Sequence, residues 1–475
     1  MMLERIMLRV RFLDRRDALA RLGAISSPGL GVLWGRRRVG KTRLLLEWCR
    51  AEGGLYTVAD QSAESVQRRY FADAVGERVA GFAEVAYPDW RALLAALARR
   101  ARHGEVPSPL IVDELPYLVA SCPSRTSTLQ AWVDHGAKQA GIRLVVAGSS
   151  QRMMQGLVLD RSAPLFGRAA QAFALEPLSP AYLGEALGLG AAREAVEAYA
   201  VWGGTPWYWE LAAPSGGDLV GAVDALVLDP AGPLHREPER LLLEEQPSAA
   251  ALRPLLDAIG AGAHRVSEIA GRVGQPATSL ARPLSRLVEL GLVRREVPFG
   301  EPERATKRAL YRIDDPFFRL WFRMVVSHKA WLAVAGRRER QVRARPLLHR
   351  LAAECWEELC RRAVPRLGSA RLGGRGPFGP AARHWHGSAP EHDVVARSLD
   401  GGVVLLGEAK WSERAAEPAA LDRAYRELVD KGLPPAVRTA HDEVVHALFV
   451  AERPRRLGKR PYLVLDATDV LRALA

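Results

Sequence analysis

Cysteine, lysine and long apolar runs are all scarce in this 475-residue chain, and each scarcity excludes something. The four cysteines, Cys49, Cys122, Cys355 and Cys360, make no C-x-x-C pair and no metal-ligand spacing. A disulfide scaffold and a thiolate metal site are therefore not expected, and the thiols read as reduced and structural. No apolar stretch approaches the roughly 20 residues that a bilayer span requires, so no transmembrane helix is expected. The opening MMLERIMLRVRFLDRRD carries acidic residues and lacks an apolar core ending in a small-residue cleavage site. It does not read as a secretory signal, and the expected location is the cytoplasm. There is no internal repeat and no low-complexity tract.

What is present begins with length, which favours two to four domains over a single core. A net charge of +13 and a pI near 9.9 favour contact with phosphate backbones. Nearly all the 67 basic residues are arginine, so each lysine is informative. Lys41 and Lys410 fall where chemistry calls for a compact point charge rather than a planar fork.

Short apolar runs alternate with helical stretches in the first part: GLGVLWG, a helix from Lys41, PLIVDE, then IRLVVAGSS. That alternation predicts a parallel sheet covered by helices over 1–176. Helices without intervening strands predict a lid over 177–245. Residues 246–335 read as three helices followed by two short extended segments, and 336–475 as a last domain. The arginine-rich passage from Arg337 to Arg345 suggests an exposed connection leading into that domain.

GRRRVGKT, from Gly35 to Thr42, follows an apolar strand and precedes a helical run, the context that a phosphate-binding loop needs. Gly35 and Gly40 let the backbone of Arg36, Arg37, Arg38 and Val39 wrap closely around phosphates, helped by the positive end of the helix that carries Arg43. Lys41 would reach the outer phosphates of ATP and Thr42 would hold magnesium. Ile111 and Val112 build a strand that presents Asp113 to that magnesium, and Glu114 can orient or deprotonate the attacking water. Ser149 and Ser150 end another strand, where they either sense the outer phosphate or cap the next helix. Arg168 is either a finger toward a nucleotide in its own or a neighbouring subunit of a homo-oligomer, or half of a structural ion pair.

Between Ser267 and Val293 the pattern gives a short helix, a turn at Gly274 to Pro276 and a second helix closed by Gly291, the helix-turn-helix plan. Pro283 fits only in the first turn of the second helix. Arg282 and Arg286 lie four apart on that helix, and Arg304, Lys307 and Arg308 fall between two extended pieces that would form a wing. DNA binding and protein contact are both open to such a unit.

In EHDVVARSLDGGVVLLGEAKW two apolar strands meet at the turn Asp400 to Gly402. Asp393 starts one strand; Glu408 and Lys410 leave the same face of the other. A hairpin centred on Gly401 sets Asp393 and Glu408 nearly opposite each other, close enough to share magnesium or manganese with Lys410 alongside. Glu357 on an upstream helix is a further acid. Such a set can hydrolyse a phosphodiester.

The order of these parts resembles the archaeal-type ATPase family, an AAA-like P-loop domain and winged helix preceding a restriction-endonuclease-like domain. The resemblance extends to FLDRRDAL, PLFGR before PLSPAYL, GGTPWYWE, WEEL, HDVV and GEAKW. It implies an α/β fold with a P-loop parallel-sheet core, a helical lid, a winged helix and a C-terminal α/β endonuclease-like domain. It also implies that Arg15 sits near the base and that Pro206 touches the nucleotide from the lid. Arg16 stands where the family has an acidic residue, and His392 where it has an aliphatic one. The leading expectation is an ATPase that binds DNA and carries a metal-dependent endonuclease-like domain; the competing one is an ATP-driven switch whose last domain only binds DNA or a partner.

Overall fold

The computed structural model describes residues 10–120, 125–149, 151–161, 163–245, 252–302, 308–387, 389–412, 417–437 and 443–475. Two compact units divide them: Phe12–Pro177 with Thr205–Trp207, and Leu178–Gly204 with Tyr208–Ala475 and residues 10 and 11.

Short apolar runs give the first unit its strands: β1 (Gly29–Trp34), β2 (Leu55–Val58), β3 (Leu110–Asp113), β4 (Arg143–Gly148) and β5 (Gln171–Ala174). All pair in parallel, in the order β2-β3-β4-β1-β5. Parallel strands must be covered on both faces. One face carries a core that includes Leu30, Val32, Phe71, Leu97, Val112 and Val146; the other packs Leu33, Ile111 and Val145 against Leu44, Leu45 and Trp48 of the helix Lys41–Glu52. β1 and β3 lie on either side of β4, so their carboxyl ends bring the glycine loop and Asp113 to one edge.

In the second unit the helices Val266–Val273 and Ala281–Glu289 precede the antiparallel pair β6 (Val293–Glu296) and β7 (Leu310–Ile313). Gly274 ends the first helix at φ 68, and Pro283 falls in the first turn of the second, where its missing N–H costs nothing. A mixed sheet follows, ordered β12-β11-β10-β9-β8, from β8 (Ala382–His384), β9 (His392–Arg397), β10 (Val403–Lys410), β11 (Glu443–Val450) and β12 (Leu463–Asp466). β10 pairs antiparallel with β9 and parallel with β11. The helix Pro418–Asp430 covers one face through Leu421, Ala424 and Leu428, packed with Val395, Val404, Leu406 and Leu448.

The exposed connection expected from Arg337 to Arg345 is instead the start of a continuous helix, Arg337–Ala363. Glu339 accepts the Gly336 N–H at 2.8 Å and so closes the first turn. Arg340 turns inward and forks onto Asp224 at 2.6 and 3.3 Å, with Asp229 at 3.0 Å. Arg337, Arg338, Arg343 and Arg345 are exposed, as the charge density indicated, and Arg340 is buried because a carboxylate partner meets it.

Candidate functional site

At the end of β1 the chain enters the loop with Gly35 at φ +153, where a Cβ would come within 2.7 Å of the Leu175 carbonyl. Gly40 caps the following helix in a left-handed conformation at φ 96, and Arg38 is also left-handed at φ 67. No side chain fills this cradle from the glycines. Lys41, buried, donates from Nζ to the carbonyls of Gly35 at 2.8 Å and Arg36 at 3.1 Å.

Thr42 Oγ1 donates to Asp113 Oδ2 at 2.8 Å, and the Glu114 N–H donates to Oδ1 at 2.9 Å. Tyr56, on the neighbouring strand, donates to the same Oδ2 at 2.8 Å. Burial and the adjacent Asp113 push the Tyr56 hydroxyl well above its usual range, so it stays a donor. Magnesium and a nucleoside triphosphate fit this set: a glycine loop with an ammonium held on its carbonyls, followed by a hydroxyl that meets a buried carboxylate.

Glu114 adopts φ 53, an uncommon conformation for a side chain of its size. Its carboxylate accepts the Ser149 N–H at 3.1 Å and the Ser149 hydroxyl. Ser149 therefore meets the acid expected to act on water, whereas Ser150 lies outside the described residues.

Arg15 reaches the loop, donating to the Val39 carbonyl at 2.7 Å and the Glu176 carbonyl at 2.9 Å. Burial pulls its guanidinium down to about 10, against the opposing pull of Asp14 and Glu176. Arg37 bonds the Tyr117 hydroxyl, the Arg38 guanidinium carbon lies 3.9 Å from the Trp207 ring centre, and Arg43 lies 5.8 Å from that of Phe12. Pro206 comes within 3.5 Å of where a Cβ on Gly40 would stand. Arg168 forks onto Asp134 at 2.6 and 2.8 Å, so here it is the structural member of an ion pair.

In the C-terminal sheet Gly407 pairs with Val394, and continuing that register sets Glu408 opposite Asp393, as the hairpin reading expected. Glu408 is already engaged on both oxygens: Lys410 Nζ lies 3.0 Å from Oε1 and Lys431 Nζ 2.6 Å from Oε2. Asp393 accepts the Ala409 N–H at 3.0 Å; burial and the Glu408 charge raise its carboxyl above the usual value. Burial, then Asp393, raise that of Glu357, which lies 3.8 Å from Arg361 and 4.0 Å from Arg383. Among the described residues no group of three His, Cys, Asp or Glu side chains is arranged to hold a metal ion. The acids expected to share a cation are thus adjacent, but Glu408 carries an ammonium on each oxygen, and a divalent ion does not fit the set as it stands.

The expected DNA contacts are partly consumed as well. Arg282 is exposed, but Arg286 pairs with Glu289 one helical turn on at 2.9 Å, Arg308 pairs with Glu301, and Lys307 and Arg304 lie outside the described residues. The wing itself is docked: the Phe299 N–H donates to the Arg383 carbonyl at 2.7 Å, and Arg294 of β6 and Arg319 bind Glu358 at 2.5 and 2.7 Å. Sequence reasoning picked Glu357 from WEEL, whereas Glu358 makes this clamp. It also missed Tyr56, Trp207 and Lys431. Only Lys431 left a signal, as one more of the rare lysines.

Residues 12–211 match a model of an ATPase domain found predominantly in Archaea, and residues 321–421 match a model of archaeal and bacterial proteins of unknown function. An uncharacterised protein of Methanocaldococcus jannaschii is 25% identical over 429 residues, spanning 88% of this chain and 91% of its own. Among solved structures, a Walker-type ATPase of Pyrococcus abyssi is similar at 19% identity and TM-score 0.48, covering 66% of this chain and 96% of that one. The ORC2 protein of Aeropyrum pernix is similar at 14% identity and TM-score 0.44, covering 68% and 96%. The chain therefore carries a P-loop ATPase domain of α/β fold followed by a domain with a mixed sheet.

Proposed function

We propose that this protein is a magnesium-dependent ATPase that associates with DNA, its C-terminal domain acting as a nucleotide-controlled binding element. The observation that carries the ATPase reading is the 2.8 Å meeting of Thr42 with Asp113 beneath a loop whose Gly35 leaves no room for a side chain. Lys41 would trade its two loop carbonyls for the outer phosphates, and the loop N–H groups would cradle them. Thr42 and Asp113 would hold magnesium, which screens the phosphate charge as the terminal bond breaks. Glu114 would take or steer the proton of the attacking water once its oxygens are free of Ser149. Phosphate release from ATP by the purified chain should need magnesium; release unchanged in excess EDTA would contradict the reading.

For DNA, the exposed Arg282 on the helix Ala281–Glu289 motivates the proposal. Arg282→Ala with Arg286→Ala is expected to weaken duplex binding and to flatten its log–log salt dependence by about 1 for each phosphate that is no longer neutralised. Fluorescence anisotropy that gives the same affinity and slope for the double variant would move the DNA-binding surface elsewhere.

The second reading, a metal-dependent endonuclease, is favoured by the register that sets Glu408 opposite Asp393 beside Lys410. The double ammonium pairing of Glu408 argues against it. Plasmid and single-stranded DNA incubated with magnesium or manganese, with and without ATP, should stay intact; cleavage lost in Asp393→Ala would restore the endonuclease reading.

A further inference from the structure

The face of the C-terminal sheet that bears Asp393, Glu408 and Lys410 also bears Val395 and Leu406, because alternate residues of a strand share a face. The helix Pro418–Asp430 covers this face, and Leu428 is locked into its core. Lys431 is the C-cap of that helix, three residues after Leu428, so it projects from nearly the same side, toward the sheet. Gly432, left-handed at φ 69, ends the helix there. Core packing therefore delivers the Lys431 ammonium to Glu408, and its 2.6 Å approach is closer than the 3.0 Å of Lys410, a neighbour on the same strand. The Glu408 side chain is only 10% exposed, which leaves little room for another ligand on the same oxygens.

We infer that Lys431 is the built-in counter-cation of this centre: its ammonium occupies the oxygen of Glu408 that a divalent ion shared with Asp393 would need, and so keeps such an ion out. The inference concerns the C-terminal centre alone and stands apart from the ATPase reading. A carboxylate with an ammonium on each oxygen offers a cation no net negative charge and no oxygen that is not already accepting. A metal would have to displace a held lysine as well as shed its own water.

The test is manganese binding to the full nucleotide-free chain, followed by the electron paramagnetic resonance of free and bound Mn2+. Wild type is expected to show no Asp393-dependent site. Lys431→Met should gain one site at least about tenfold tighter than any in wild type, and Asp393→Asn in the same chain should remove it. Lys431→Arg, which keeps the charge, should behave as wild type; Lys431→Gln gives the same reading as methionine should that variant fold poorly. An Asp393-dependent site in wild type as tight as in Lys431→Met overturns the inference, and so does the absence of any gain in both neutral variants. Nucleotide binding measured on the same samples is expected to be unchanged throughout, which keeps a failure here distinct from a failure of the ATPase reading.

Discussion

Glu114→Gln is expected to bind ATP and magnesium as wild type does and to release phosphate at least about a hundredfold more slowly, the span that a positioned general base supplies. The amide is nearly isosteric with the carboxylate and can still accept from Ser149 through one oxygen. It cannot take a proton from water. Asp113, which meets Thr42 and Tyr56, is untouched, so the nucleotide and its metal should be held as before. Single-turnover phosphate release alongside nucleotide affinity separates the two steps. A wild-type release rate would assign the proton transfer to another group, and a loss of affinity equal to the loss of rate would make Glu114 a binding residue.

The second large effect concerns stability. Glu358→Ala should destabilise the second unit by about 3–5 kcal/mol, because it removes the carboxylate that meets buried Arg319 and one of the three that meet Arg294. Burial opposes ionisation of Glu358, but the two guanidinium groups outweigh it and hold its carboxyl well below the usual range. A folded-state pKa below the unfolded value gives stability that is complete above about pH 4.3, the ordinary glutamate value, and is lost as the pH falls through and below it. Asp393 and Glu357, whose carboxyls are raised, act in the opposite sense. Urea unfolding at pH 7 and pH 4 should therefore show a smaller cost for Glu358→Ala at the lower pH. A cost below about 1 kcal/mol at pH 7 would mean the clamp is replaceable by water.

The candidate nucleotide site was legible because its residues are set by local structure. Gly35, Gly40, Lys41 and Thr42 lie within one loop and helix start, and Asp113 ends an apolar strand that can only be part of the same sheet. The hairpin was legible for a similar reason: Gly401 at φ 82 marks the turn, and counting outward from it places Asp393 within one residue of the position opposite Glu408 that the register gives. What sequence could not give was side-chain pairing across long separations. Lys431 lies 23 residues from Glu408, and Arg340 lies 116 from Asp224. Both pairings are set by helices whose docking depends on the whole core. The same holds for the wing, where β6 and the helix Arg337–Ala363 bring Arg294 to Glu358, a pairing that no local pattern in the sequence indicated. A charged residue announces that it needs a partner; only packing decides whether that partner is solvent, phosphate or carboxylate.

Calorimetric titration of ATP with magnesium into wild type and Lys41→Ala tests most directly whether the loop at Gly35 to Thr42 holds ATP. Saturable one-to-one binding is expected for wild type, with an affinity loss of at least about a hundredfold in the variant, since truncation removes the charge that meets the outer phosphates. Equal affinity in the two proteins, or no binding by wild type, would contradict it.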